Sequence, residues 1–138
     1  MLIGFSGWWT PYPKEDERAK KYIGSLINRR VKVRTTRVET PQYQKIDVGS
    51  LLHLWWRKRG QPAEKNHRYG IATCISKDHI YIDSESNSIY WGEDSMDLPE
   101  RICRKFALED IGTADLNKFF QVFKTGHYVT IRWGEVFR

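Results

Sequence analysis

Only two cysteines occur in the chain, Cys74 and Cys103, far apart and in no ligand-like spacing. That argues against a disulfide framework, and Cys74, inside the apolar "IATCI", reads as a buried reduced thiol. There is no apolar run of roughly 18 residues, so no membrane-spanning helix is expected. The opening "MLIGFSGWWT" lacks both a basic n-region and a long apolar stretch, and does not read as a signal peptide. His53, His67, His79 and His127 are scattered and form no metal motif. From Asp83 to Glu100 there is neither lysine nor arginine. The carboxylates there (Asp83, Glu85, Glu93, Asp94, Asp97, Glu100) match no ligand spacing and read as a solvated loop rather than a metal-dependent nuclease site. Taken together, the absences lead to the expectation of a cytoplasmic protein with no metal or cofactor.

What is present points to one domain spanning 1–138. Hydrophobic content of 40% and charged content of 29% suit a folded chain with a single core. Aromatics reach 14%, including six tryptophans, enough to supply stacking surfaces as well as core. Charge is divided unevenly. Up to Arg68 there are 15 Lys+Arg against 6 Asp+Glu, a balance of +9; beyond it 8 stand against 11, a balance of −3. A basic face of this kind suits phosphates.

"LIGF" at Leu2 to Phe5 fits an edge strand, and "GWWTPYP" a rigid loop, since Pro11 and Pro13 cannot continue a ladder. Together they make an extra N-terminal strand and an aromatic, proline-rich loop over 1–14. Trp8, Trp9 and Tyr12 would plug one end of a barrel, or else form a lid over a base. From Lys14 to Asn28 the spacing of Ala19, Tyr22, Ile23, Leu26 and Ile27 predicts a helix. "NRRVKVRTTRVE" follows, with five positive charges between Arg29 and Arg37 and no negative one. Its alternation and β-branched residues predict a strand with valines toward the core. "VGSLLHLWWRKRG" predicts another, with Leu52, Leu54 and Trp56 inward and His53, Trp55 and Arg57 outward. "YGIATCISKDHIYID" reads as two strands around "SKDH". Thr113 is a candidate N-cap for a helix whose stripe is Leu116, Phe119, Phe120 and Phe123. "HYVTIRWGEVF" closes the series. The pattern predicts an α+β fold, a small β-barrel of about six strands flanked by helices.

Three segments in order carry a resemblance. "KVRTTR" fits K-x-x-T-x-R at Lys32, Thr35 and Arg37, after a helix. "VGSLLHLWW" is a glycine-led apolar strand. "FALEDIGTADLNKFF" resembles an A-x-x-(D/E)-G-(F) segment leading into a helix with paired aromatics. Over roughly Ile23 to Trp133 the chain resembles an ASCH domain of the PUA-like superfamily. The resemblance implies a PUA-like β-barrel whose cleft includes the K-x-x-T-x-R segment, and an association with RNA. Some small members are amidohydrolases that deacylate N4-acetylcytidine, and others are described as ribonucleases. Their catalytic Lys, Thr and Glu correspond here to Lys32, Thr35 and Asp110. The carboxylate is one methylene shorter in this chain, and the glycine falls one residue later.

The resulting expectation is a cleft that binds single-stranded RNA or a nucleotide, with DNA as a further candidate. Arg30, Arg34, Arg37, Arg57, Lys58 and Arg59 would position phosphates, and Trp55 would stack on a base. The alternative is a hydrolase in which Thr35 attacks, Lys32 accepts its proton and Asp110 assists. In a regular strand, positions 32 and 35 face opposite ways. Convergence therefore requires Lys32 to lie in the helix-to-strand turn, or a bulge to intervene. A third alternative is a basic-faced protein-interaction module.

Overall fold

The computed structural model describes residues 2–57 and 66–138. Its elements run β1 (Leu2–Phe5), α1 (Glu17–Asn28), β2 (Arg34–Arg37), α2 (Pro41–Gln44), β3 (Leu51–Trp56), β4 (His67–Asp83), β5 (Ser88–Trp91), β6 (Met96–Asp97), α3 (Glu100–Ile111), α4 (Leu116–Val122) and β7 (Gly126–Phe137). The fold is mixed α+β, with a seven-stranded sheet. No helix among the described residues is long and apolar enough to cross a membrane.

The sheet order is β1-β3-β4-β5-β6, with β7 pairing both β4 and β2. β1 lies parallel to β3, Leu2 opposite His53 and Phe5 opposite Trp56, and the other ladders are antiparallel. The sheet does not close into the expected barrel. No ladder joins β2 to β1 among the described residues; the Arg37 side chain crosses instead, donating to the Gly4 carbonyl at 2.8 Å. Just before β2 the chain turns to α3, where the Val33 amide donates to the Glu109 carbonyl at 3.0 Å. A four-residue strand committed to β7 on one edge and to a helix end at its start cannot extend a closed ladder.

α1 begins at Asp16, whose carboxylate caps the Arg18 amide. Of the expected apolar stripe it buries Ala19, Ile23, Leu26 and Ile27, while Tyr22 is half-buried. Beyond its end Arg30 takes φ 58°, and the amides of Val31 and Lys32 both return to the Leu26 carbonyl. That left-handed step redirects the chain so that Lys32 enters the interior. Of the valines expected to face the core, Val33 does so, whereas Val38 is 62% exposed.

"YGIATCISKDHIYID" belongs to one strand rather than two. β4 runs 17 residues, and Ser76, Lys77 and Asp78 pair with Arg132, Ile131 and Thr130 of β7. The local turn signal is overridden by a long partner, and the register irregularities fall ahead of it, at Ala72/Cys74 and Cys74/Ser76. The acidic segment is also more ordered than expected: it carries β5, β6 and the start of α3. Thr113 is not the cap of α4; Asp115 is, accepting from the Asn117 amide, while the Thr113 hydroxyl accepts from Asp115 N.

Two buried clusters result. One gathers β1, α1, β3, β7 and the first part of β4 around Phe5, Trp56 and Trp133. The other gathers β5, α3, α4 and the later part of β4 around Phe106 and Phe119. Trp9 packs against both, closer to a plug than to a lid, while neighbouring Trp8 is 48% exposed. Both cysteines are buried free thiols.

Gly112 ends α3 at φ 78°, and a Cβ there would meet Leu26 Cδ1 of α1 at 2.5 Å. Gly112→Ala should therefore combine left-handed strain with overpacking, and cost about 2–4 kcal/mol in urea denaturation.

Candidate functional site

Between the two clusters lies a row of buried polar groups. Lys32 is 1% exposed, and its ammonium sits 4.7 Å from the Trp9 ring centroid, 5.2 Å from Phe5 and 5.8 Å from Trp133. It donates to the carbonyls of Arg34, at 2.7 Å, and of Asp110. The Asp110 carboxylate Oδ1 lies 3.6 Å away. An ammonium has three donors, and here they are directed at two carbonyls and one carboxylate. The other carboxylate oxygen, Oδ2, accepts from the Thr36 hydroxyl at 2.5 Å. Thr36 Oγ1 is 3.1 Å from Thr130 Oγ1, which in turn accepts from Arg34 at 3.1 Å. The row then reaches Glu109, whose two oxygens hold Arg34 and Arg132 at 3.3 Å each.

Charge behaves accordingly. Burial pushes the Lys32 ammonium down to about 8, opposed by the Asp110 charge and reinforced by Arg37 and Arg34. Burial also pushes the Asp110 carboxyl up, with Lys32, the Thr36 hydrogen bond and the two arginines pulling the other way. Each member thus resists charging alone and is held charged by the other.

Beside Glu109 the row opens on a cleft of about 320 Å³. Arg34, Glu109 and Arg132 form its polar end, with Lys105 alongside; Trp91 and Phe106 supply rings, and Leu98 and Ile102 further apolar wall. Arg34 is 7% exposed. Its guanidinium lies 4.5 Å from the Phe106 ring centroid and 5.6 Å from that of Trp91. Its Nε has no hydrogen-bond partner among the described residues.

The structure brings together part of the expected set and separates the rest. Lys32 and Asp110 meet, because Lys32 lies in the turn ahead of β2. The threonine that joins them is Thr36. Thr35 faces the other side of β2, where its hydroxyl accepts from Arg37 Nε at 3.0 Å. Arg34 reaches the cleft wall. Arg37 is turned to Gly4 and lies 5.5 Å over the Phe5 ring. Arg30 is exposed on the turn after α1. Trp55 and Arg57 belong to β3 and its end, and neither lines this cleft; Lys58 and Arg59 lie outside the described residues. Trp91, Phe106, Glu109, Arg132 and Thr130 were not singled out from sequence. A signal for the α3 residues was present: Cys103, Phe106, Ala107, Asp110 and Ile111 recur at helical spacing before Gly112. No group of three His, Cys, Asp or Glu among the described residues is placed to hold a metal. Against known proteins, no family model, curated protein or solved structure matches the chain.

Lys32→Met should strand a buried carboxylate and cost about 3–5 kcal/mol, whereas Lys32→Met with Asp110→Leu should recover much of that loss. The pair also sets a pH dependence. Unfolded, Lys32 keeps its proton to about 10.5, but folded only to about 8. Between these values the unfolded chain binds more protons, so stability should rise with pH by up to about 1.4 kcal/mol per unit. Urea denaturation at several values between about pH 8 and 10 should show that slope in the native chain and not in the double variant.

Proposed function

We propose that the protein binds an unpaired nucleotide, as part of single-stranded RNA, in the cleft bounded by Arg34, Glu109 and Arg132. The observation that carries this reading is the buried Arg34 guanidinium at the cleft wall, within cation–π range of Phe106 and Trp91. Cations and rings in one concavity suit a ligand with an anionic group and a flat body. A cleft of about 320 Å³ is at the small end of ligand sites, suited to one nucleotide rather than a duplex. Arg132 and Lys105 would meet phosphate, Trp91 would offer its face to the base, and Glu109 would accept from the base edge. Glu109 also holds both arginines in place, and so fixes where the anion can sit. The ASCH-like, PUA-like assignment is part of the same proposal. It is supported by the meeting of the motif lysine, Lys32, with the carboxylate Asp110 from a segment 78 positions away.

A hydrolase is the second reading, favoured by the juxtaposition of Lys32, Asp110 and Thr36. In it Thr36, rather than Thr35, is the hydroxyl next to the carboxylate. Weighing against it, all three side chains are nearly inaccessible and the lysine's donors are engaged. Turnover of N4-acetylcytidine that disappears in Thr36→Val and survives in Thr35→Val would bring this reading to the front.

The binding reading is tested by fluorescence anisotropy of labelled single-stranded RNA at about 50 and 200 mM salt. Trp91→Ala should remove a stacking contact of about 1–3 kcal/mol, a loss of roughly 5- to 150-fold. Arg132→Gln should flatten the log–log salt slope by about 0.7. Undiminished affinity and slope in both variants would sink the cleft as the binding site.

A further inference from the structure

A second concavity, of about 540 Å³, lies between the outer face of α1 and the start of β4. Its α1 wall is formed by Lys20, Lys21, Gly24, Ser25, Asn28 and Arg29. Those positions are pairs four residues apart, so they form one continuous ridge on the side away from buried Ile23 and Ile27. The centre is low because Gly24 and Ser25 are small; cations stand at both ends. Opposite them are His67 and Tyr69, ring to ring at 5.2 Å and nearly perpendicular. Tyr69 is fixed by donating its hydroxyl to the Lys20 carbonyl at 2.9 Å. Its ring forms the floor under Gly24, where an added Cβ would come within 3.2 Å of it.

Among the described residues, no carboxylate lines this groove. Lys20 has one exposed partner, Glu17, at 3.6 Å, and neither Lys21 nor Arg29 is in an ion pair among the described residues. The imidazole of His67 responds to this field: burial lowers its pKa, and the charges of Lys20 and Arg138 lower it further. From Lys20 to Arg29 the helix advances about 13 Å. That is too long for a single phosphate and matches several along a strand.

We infer that the α1 groove is a track for the phosphate backbone of a single-stranded nucleic acid, separate from the cleft at Arg34. Lys20, Lys21 and Arg29 neutralise successive phosphates, and the side chains of Ser25 and Asn28 donate to their oxygens. The exposed His67 ring offers a stacking face to a neighbouring base. Sequence is not read here, because the groove addresses backbone charge and ring faces, not base edges. The track does not depend on a nucleotide occupying the cleft.

The test uses the full chain and a labelled oligouridylate of about 12 nucleotides, titrated at about 50 and 200 mM salt. In Lys21→Gln/Arg29→Gln the log–log salt slope should fall by roughly 1.4, about 0.7 per contact, with at least a tenfold loss of affinity at the lower salt. Ser25→Glu, an exposed change that introduces a carboxylate between the cations, should do the same. Both sets of residues lie off the cleft, so binding of a mononucleotide there should be unchanged. Amide resonances of Gly24, Ser25 and Asn28 should move with the oligonucleotide and not with inorganic phosphate at the same phosphate concentration. The inference is overturned by unchanged slope and affinity in the variants, or by absence of oligonucleotide binding at the lower salt. It is overturned equally if inorganic phosphate alone saturates those amides, or if only anionic vesicles bind in a way these charges control. Loss of affinity through Trp91→Ala with no effect of the α1 variants would leave the cleft standing and remove the track. The reverse pattern would remove the cleft and leave the track.

Discussion

The Lys32 ammonium is the group on which the arrangement of this molecule turns. An isolated charge at that depth would cost several kcal/mol. It is tolerated because Asp110 and two backbone carbonyls surround it, and because the Trp9, Phe5 and Trp133 rings lie within cation–π range. The consequence is geometric. To satisfy Lys32, the last turn of α3 must lie against the turn preceding β2, and the Val33 amide then finds the Glu109 carbonyl. That docking sets Glu109 between Arg34 and Arg132, and so positions the wall of the cleft. Removing one partner of the pair exposes the unfavourable half of the same balance, which is why a buried ion pair constrains a fold more than it stabilises it.

Two basic surfaces of different character follow. At the cleft, Arg34 is buried beside the Phe106 ring, and both it and the half-buried Arg132 are clamped by Glu109, which limits what can enter and in which orientation. Along α1, Lys21 and Arg29 are exposed and in no ion pair among the described residues, and Lys20 is half-buried beside Glu17; cations spaced along a helix suit a long polyanion. The Arg29–Arg37 run contributes to both. Arg29 belongs to the groove and Arg34 to the cleft, because the left-handed step at Arg30 and the inward turn at Lys32 separate them. A run of charge that is continuous along the chain is thus divided between two sites.

Much was legible before any coordinates. The α1 stripe, the inward face of β3 with Leu52, Leu54 and Trp56, the strand at β1 and the aromatic face of α4 all follow from periodicity and are where it puts them. The unity of β4 was not legible, since "SKDH" has turn chemistry and only the opposing β7 keeps it extended. α3 was not legible as a helix, since a turn-rich acidic approach ending in Pro99 masks its helical stripe and glycine stop. Which threonine meets Asp110 was not legible either: spacing alone does not say that Lys32 stands outside the strand, nor that its amine reaches toward the side of Thr36.

By itself, then, the amino-acid order determined the amphipathic stripes of α1 and α4, the inward face of β3, and that the first half of the chain carries the positive charge. These are properties of neighbours within one or two turns, governed by local periodicity, capping and glycine. Whether the sheet closes, which threonine meets Asp110, and which arginines face a cavity were decided only in three dimensions. Each of those outcomes depends on satisfying a buried charge or an edge strand with a partner far away in the chain. The choice of that partner is a matter of packing, not of local pattern.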